Sequence, residues 1–306
     1  MSLSTAYIYD RAVAQMGDMQ TKISKTQTQL STGKQVPNPS DSPEKTTAMQ
    51  RVQSAIARQD SYLNTLTAVD ERLKTEEPVI RNSTEAMARF KELVVQASND
   101  TLSPSDRQAL ALELKSLREE MLSYANVRDS NGNYLFGGGR VSKPAFSTNA
   151  ASGSGYEGDT TRMNVNIGDE RTVNLNRAGS DIFTSVTRTV NGQTQQIGFF
   201  KALDDITAAV VNSNHNGMVS GLNDIDTLQT GLAHALTQMG SDMSAIDSQR
   251  STIEDTKLRL QSTLSSLQDV DYADAISRLK KDMTGLEAAQ SSFAQTSKLN
   301  LFNFIK

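Results

Sequence analysis

The chain has 306 residues, of which 37% are hydrophobic and 22% charged, with a formal net charge of −4 and no cysteine. This composition excludes disulfides, thiolate metal sites and cysteine nucleophiles, and the acidic balance gives little support to nucleic-acid binding. The low hydrophobic content disfavours one large compact core, and no apolar run approaches the roughly 20 residues that span a membrane.

The first predicted element is an amphipathic helix with a narrow heptad seam. Its apolar residues recur at seven-residue spacing, at Tyr9, Met16, Ile23 and Leu30. Gly33 is the predicted helix stop. The stretch VPNPSDSPE follows and excludes a regular helix through its prolines, and Ser42 before Pro43 predicts the N-cap of the next helix.

Two further helices are predicted before the helical pattern gives way to alternating apolar and polar residues. A helical pattern runs from Pro43 to about Asn99, and Pro78 is expected to kink or split it. The SPSD at residues 103–106 predicts a capped helix that ends near Asn126.

A β-rich segment is predicted between these helices and the C-terminal third of the chain. Eleven of the 18 glycines lie in residues 131–198, where the heptads vanish. Alternating runs occur at 163–167, 172–175 and 186–190, and Asn191–Gly192 is typical of a two-residue hairpin turn.

Helical patterns resume at Phe199 and continue to the end of the chain, so the β-rich segment is nested within helices. Residues 1–34 carry a net charge of +2 and residues 277–306 carry +3, whereas the middle carries −9. The similar ends predict one unit formed by both termini.

The predicted fold is therefore mainly α with an inserted β-rich domain. We expect an elongated antiparallel helical bundle or coiled-coil rod whose N- and C-termini pair at one end. The expected division is a terminal helical assembly domain (1–42 with 265–306), a helical rod domain (43–138 with 199–264) and an outer β-rich domain (139–198).

Catalytic motifs are weak throughout. The GSGYEG at 153–158 matches a dinucleotide-binding string, but neither the preceding strand nor the following helix that this chemistry needs is predicted. His215 and His234 have no partner at metal-ligand spacing. We expect no catalytic residues, no metal, no cofactor and no enzymatic activity.

The two amphipathic ends indicate self-assembly. Their seams are narrow and interrupted by Ser, Thr and Gln, so the area that they bury competes poorly with the entropy of ordering. The pair is therefore expected to gain order by packing on neighbouring copies. The predicted assembly seam is Tyr9, Met16, Ile23, Leu30, Ile276, Leu279, Met283, Leu286, Phe293, Leu299, Phe302 and Ile305.

A compact apolar plug, NGNYLFGGG at 131–139, stands where the helices give way to the β-rich segment. The Asn–Gly can supply a turn, and the glycines allow backbone angles closed to other residues. We expect this segment to anchor the junction of the two domains through Tyr134, Leu135, Phe136, Gly137 and Gly138.

Four stretches together resemble the hook–filament junction proteins of the flagellin superfamily. They are LSTGKQVPNPSDSPEKTTAMQRVQ at 30–53, the helix at 101–126, NGNYLFGGG at 131–139 and the C-terminal segment 267–306 that ends in LNLFNFIK. The resemblance covers about three-quarters of the chain, whereas the β-rich segment is similar only in position and texture.

The resemblance implies a structural subunit that is secreted and extracellular. Such proteins leave the cell unfolded through the flagellar type III export channel, without cleavage of a signal peptide. They form a ring at the end of the hook, bind hook-associated protein 1 and offer a surface to flagellin. A flagellar export chaperone of the FlgN type binds their C-terminal region. Neither nucleic-acid binding nor membrane insertion is implied.

Two alternatives remain open on the sequence. The first is flagellin itself, in which the N-terminal turn usually reads closer to INSAKDDAAG and a YLFGGG-like step is commonly absent. The second, from a different class, is a soluble helical signalling or chaperone-binding module. Assembly distinguishes them, since flagellin forms long filaments and a junction protein caps hooks and stops.

Overall fold

The computed structural model describes residues 2–147, 155–190 and 193–302. It divides into two compact units, which are described separately. Unit 1 contains residues 1–59 and 255–306, and unit 2 contains residues 60–254. The three-domain division expected from the sequence remains a prediction.

Helices dominate the described residues. The long helices are α1 (Ser2–Thr32), α2 (Pro43–Ala97), α3 (Pro104–Ala125), α5 (Phe199–Val211), α6 (His215–Gln268) and α7 (Tyr272–Phe302). A 3-10 turn covers Pro39–Asp41 and a four-residue helix, α4, covers Gly179–Ile182. The predicted interruption by the VPNPSDSPE stretch is confirmed, because α1 ends at Thr32 and α2 begins only at Pro43.

The sequence predicted that Pro78 would either kink helix α2 or split it. The helix continues through Pro78, so the predicted split is wrong. Proline removes one N–H and frees the carbonyl of the residue four positions earlier. Pro78 and Lys74 both lie on the exposed side of the helix, where water can satisfy that carbonyl. Val79 and Ile80 beside it remain buried and hold the helix in place.

The start of α3 follows the predicted cap. The Ser103 hydroxyl accepts the N–H of Asp106 at 3.2 Å, and the Asp106 carboxylate accepts the N–H of Ser103 at 3.3 Å. This capping box satisfies two N–H groups that lie beyond the reach of intrahelical bonds.

The described strands form two separate antiparallel hairpins. Strand β1 (Asn164–Asn166) pairs with β2 (Thr172–Asn174), and β3 (Val186–Val190) pairs with β4 (Gln193–Ile197). Val190 lies opposite Gln193, which confirms a hairpin with a two-residue connection. The turn residues, Asn191 and Gly192, lie outside the described residues.

Unit 2 is built on two rows of buried residues at strict seven-residue spacing. In α2 the row is Leu66, Leu73, Ile80, Met87 and Val94, and in α6 it is Met218, Ile225, Leu232, Met239, Ile246 and Ile253. All of these side chains are at most 3% exposed. The helices run antiparallel, since Lys91 pairs with Asp226 while Asp70 pairs with Arg250.

The expected fold class is confirmed as mainly α with a small β-rich insertion and paired terminal helices. The strands lie between α3 and α5 in the chain, where the sequence places them.

Candidate assembly surface and insert junction

The terminal helices α1 and α7 pack against each other within unit 1. Tyr9 and Phe293 meet edge to face, with ring centroids 5.1 Å apart. Seven predicted seam residues are half-buried along the pair: Tyr9, Met16, Ile23, Leu30, Leu279, Leu286 and Phe293. Thr26 and Gln29 are buried in the same seam. The pair is therefore held by a narrow row of mixed polarity.

Two residues predicted for the seam lie on its outer flank. Ile276 is 43% exposed and Met283 is 44% exposed. Each comes one residue after a position that faces α1, Ala275 and Asp282, and is turned about 100° from it. The side chains of Leu299 and Phe302 lie outside the description, and Ile305 lies outside the described residues. The assembly role of the whole set remains a prediction.

The helix pair leaves a considerable amount of apolar surface in water. Large exposed apolar side chains in unit 1 are Tyr7, Val13, Leu258, Tyr272, Ile276 and Met283. A groove of about 510 Å³ runs along α1 and α7, lined by Tyr9, Met16, Met19 and Phe293 among others. Apolar surface arranged in this way is typical of a face that another protein covers.

The apolar plug lies in the core of unit 2. Leu135 is 1% exposed, Phe136 is fully buried and Tyr134 is 9% exposed. Phe136 and Phe146 both pack edge to face on Phe183, with centroids 6.1 and 5.4 Å from it. Phe183 in turn meets Phe199 at the start of α5, at 5.2 Å. The aromatic cluster joins the plug, the inserted segment and the helices.

The glycines at the end of the plug allow the backbone of the inserted segment to approach closely. Gly138 has φ of +67°, and a Cβ there would lie 2.0 Å from the Asp159 carbonyl oxygen. The Asp159 carboxylate accepts the N–H groups of Gly139 at 2.7 Å and Thr161 at 2.9 Å. These bonds hold the pKa of Asp159 below its usual range.

A chain of charged side chains around the buried Glu76 ties the plug to α2 and α6. Arg72 on α2 donates to the Leu135 carbonyl at 2.7 Å and to Glu76 Oε1 at 3.0 Å. Arg177, just after β2, lies with its Nε 3.9 Å from Glu76 Oε2 and forms an ion pair with Asp242 on α6. Burial raises the pKa of Glu76, and the two arginines partly offset that effect.

The insertion is fastened along a single line of α6. Arg188 of β3 binds Asp224 at 2.6 Å, Arg177 binds Asp242, and Gln249 donates to the Ile167 carbonyl at 3.1 Å. Asp224, Asp242 and Gln249 stand eighteen and seven residues apart, so they share one helix face to within about 20° over roughly 37 Å.

The contacts of these residues with the insertion were not predicted from the sequence. The recurrence of Asp224, Asp242 and Gln249 on one face of a predicted helix was a usable signal. Nothing in the sequence identified Glu76 as buried beside a half-buried Arg72, because an i,i+4 Arg–Glu pair is more often a solvated surface pair.

The described residues give little support for a ligand-binding or metal-binding site. A cleft of about 900 Å³ between the first hairpin and α6 is polar, but its Arg162 is paired with Asp181 and its Arg177 with Asp242. Among the described residues, no three His, Cys, Asp or Glu side chains are grouped to hold a metal ion. None of the described helices is long and apolar enough to span a membrane.

Two protein-family models match regions at the two ends of the chain. Residues 3–140 match the bacterial flagellin N-terminal helical region, and residues 222–305 match the bacterial flagellin C-terminal helical region. Together the two regions cover more than two thirds of the chain.

Full-length relatives carry the comparison further. The chain is 28% identical to flagellar hook-associated protein 3 of Salmonella typhimurium, with 99% of each chain covered. It is 27% identical to flagellar hook-associated protein 3 of Escherichia coli, with 100% of each covered. Its fold is similar to that of flagellar hook-associated protein 3 from Legionella pneumophila, with a TM-score of 0.64 and 17% identity over 71% of this chain and 98% of that one.

Truncating the plug tests its anchoring role. We expect Phe136→Ala to destabilise unit 2 by about 3–5 kcal/mol, because it leaves a cavity in the aromatic cluster. Hydrogen exchange should rise first in the segments around Phe146 and Phe183, before it rises in α2 and α6. Leu112→Ala, which truncates an exposed side chain of α3, is the control. Unchanged exchange around Phe183 in Phe136→Ala would contradict the anchor.

Asp159 gives the junction a pH dependence. Because the folded chain lowers its pKa, its carboxylate stabilises the fold above the unfolded pKa of about 3.9 and loses that effect as the pH falls through the folded value. We expect Asp159→Asn to lower Tm at pH 6 and to have little effect well below pH 3.9. Asp255→Asn, at an exposed position of α6, is the control, and an equal loss of Tm at both pH values would refute the expectation.

Proposed function

Because the chain belongs to the bacterial flagellin family, we propose that it is a structural subunit of the flagellum that forms the hook–filament junction. In this role a ring of copies adapts the layer of hook-associated protein 1 at the end of the hook to the flagellin filament. The work is mechanical, and we propose no catalytic step.

The observation that carries this proposal is the terminal helix pair. Its seam contains Thr26 and Gln29, and apolar side chains such as Tyr7, Ile276 and Met283 remain in water. A pair with this surface is stabilised when neighbouring subunits cover it. Identity to hook-associated protein 3 over the full length, 28% and 27%, is higher than the 20% shared with a flagellin over 96% of the chain, which favours the junction over the filament.

The flagellar family places the protein outside the cell and in association with other flagellar components. We propose three specific partners besides further copies of the chain. Hook-associated protein 1 lies on the hook side, flagellin lies on the filament side, and a FlgN-type export chaperone binds the C-terminal region before export. We further propose that export proceeds without a cleaved signal peptide. The exposed Ile276 and Met283 give the chaperone an apolar face on α7.

Flagellin remains the alternative within the same class, and a soluble helical signalling or chaperone-binding module is the alternative outside it. A filament subunit elongates without limit when seeded, whereas a junction subunit adds to the hook and stops. A chain that never binds hook-associated protein 1 favours the signalling module.

Deletion of the gene in the host bacterium tests the function directly. We expect intact hooks without filaments, and monomeric flagellin released into the medium, because the surface on which flagellin polymerises is missing. Electron microscopy of the cells and immunoblotting of the medium measure both effects. Normal filaments on the deletion strain would refute the proposal.

A charge in the seam tests the helix pair. We expect Leu286→Asp to abolish addition to hooks, because a carboxylate would be desolvated between α1 and α7. Circular dichroism should lose at most the helicity of α1 and α7. Gln290→Asp, one turn later on the exposed side, should retain assembly and serves as the control. Unfolding of unit 2 in Leu286→Asp would contradict the modular organisation.

A further inference from the structure

A short backbone bridge joins the end of α1 to the start of α7. The Gln35 N–H donates to the Gln268 carbonyl at 2.7 Å, and the Val270 N–H donates to the Gly33 carbonyl at 2.9 Å. Lys34 lies opposite Asp269 between these bonds. Residues 33–35 and 268–270 are called the clasp below. All of them belong to unit 1.

A buried amide connects the clasp to the last turns of α1. Gln29 is 6% exposed, and its Nε2 donates to the Gln35 carbonyl at 2.6 Å. Gln29 therefore has its partner only when residues 33–35 hold their present position. A single buried polar residue in a helical seam is a known means of specifying register, at a cost in stability.

The clasp and the seam share one antiparallel register. The residue numbers of paired positions in the clasp add up to 303. Tyr9 and Phe293, which add up to 302, are in ring contact near the far end of the pair. In between, a Cβ on Gly285 would lie 3.5 Å from Met19 Cε, and these numbers add up to 304. The alignment set at the clasp is thus kept along the helices.

The seam by itself distinguishes weakly between this register and a shift of seven residues. In the observed alignment Met16 lies level with Leu286, and a shift of one heptad would bring it level with Leu279 or Phe293. All three are large apolar residues, so a seven-residue repeat can slip with little loss of apolar contact. The backbone bonds of the clasp have no equivalent after such a shift, and the Gln29 bond holds residues 33–35 in the position that makes them.

We infer that the clasp sets the register of the terminal helix pair. It thereby determines which apolar side chains the pair presents for assembly. The use of this surface in assembly rests on the proposed function, whereas the register is a property of the isolated chain. Residues 33–35 thus bind the link between α6 and α7 in the same chain, and this contact affects the alignment of the terminal helices.

Gly33 makes the clasp sensitive to substitution. Its φ is +70°, which a β-branched residue adopts only with strain, and a Cβ there would lie 3.0 Å from the Tyr272 hydroxyl oxygen. Gly33→Val therefore weakens the backbone bridge. Gln29→Leu removes the amide donor and retains an apolar side chain in the seam.

Disulfide cross-linking of the full chain measures the register, since the chain contains no cysteine of its own. The pair Met19→Cys with Gly285→Cys reports the observed alignment. Met19→Cys with Ser292→Cys, and Met19→Cys with Arg278→Cys, report a shift of one heptad in either direction. Each pair is oxidised in the parent chain, in Gln29→Leu and in Gly33→Val. Gln27→Leu, exposed on the same turn, is the matched control.

In the parent and in Gln27→Leu we expect the 19–285 pair to cross-link in much higher yield than either shifted pair. In Gln29→Leu the shifted pairs should gain about two- to tenfold, the range expected for one lost hydrogen bond, and in Gly33→Val they should gain more. Hydrogen exchange of unit 2 checks that the rest of the chain remains folded.

Two results would overturn the inference. One is an unchanged preference for the 19–285 pair in both variants, which would mean that the seam sets the register. The other is loss of every cross-link while unit 2 stays folded, which would mean that the clasp holds the pair together without selecting its alignment. Expected cross-linking in a chain that fails to join hooks would refute the proposed function and leave the clasp standing.

Discussion

The antiparallel pairing of α2 with α6 is the constraint on which the rest of unit 2 depends. Two rows of apolar residues at seven-residue spacing are buried completely or nearly so, and they hold both helices along the length of this unit. Five residues that fasten the inserted segment lie on these helices: Arg72 and Glu76 on α2, and Asp224, Asp242 and Gln249 on α6. Rigid helices fix the spacing of those side chains. The position of the insertion therefore follows from the pairing of α2 with α6.

The two units use different physical means of cohesion. Unit 2 combines large buried aromatic rings with buried, paired charges, which makes its geometry specific as well as stable. Unit 1 has a narrow seam of mixed polarity and leaves Tyr7, Ile276 and Met283 in water. The proposed function, in which the terminal helices join neighbouring copies, would use both kinds of surface.

Local patterns in the sequence predicted the described elements well. The heptads of α1 and α2, the capping box at Ser103 and the alternation around 186–197 all depend on residues close together in the chain. The continuation of α2 through Pro78 was harder to predict from the sequence, because it depends on which side of α2 faces water. On α7, Ile276 and Met283 lie beside the seam, since apolar character alone does not distinguish adjacent positions that are about 100° apart.

The sequence by itself determined the order of the long helices and the strands, the apolar plug and the resemblance to the flagellin family. These follow from periodicity, turn chemistry and motif, all of which are local. Only the tertiary structure decided that Glu76 is buried between Arg72 and Arg177, that Asp242 receives Arg177 from 65 residues away, and that Gly33 meets Val270 in the clasp. Such partners are chosen by the distance and direction between folded elements, and a charge or an amide in the sequence carries no mark of the partner that it meets.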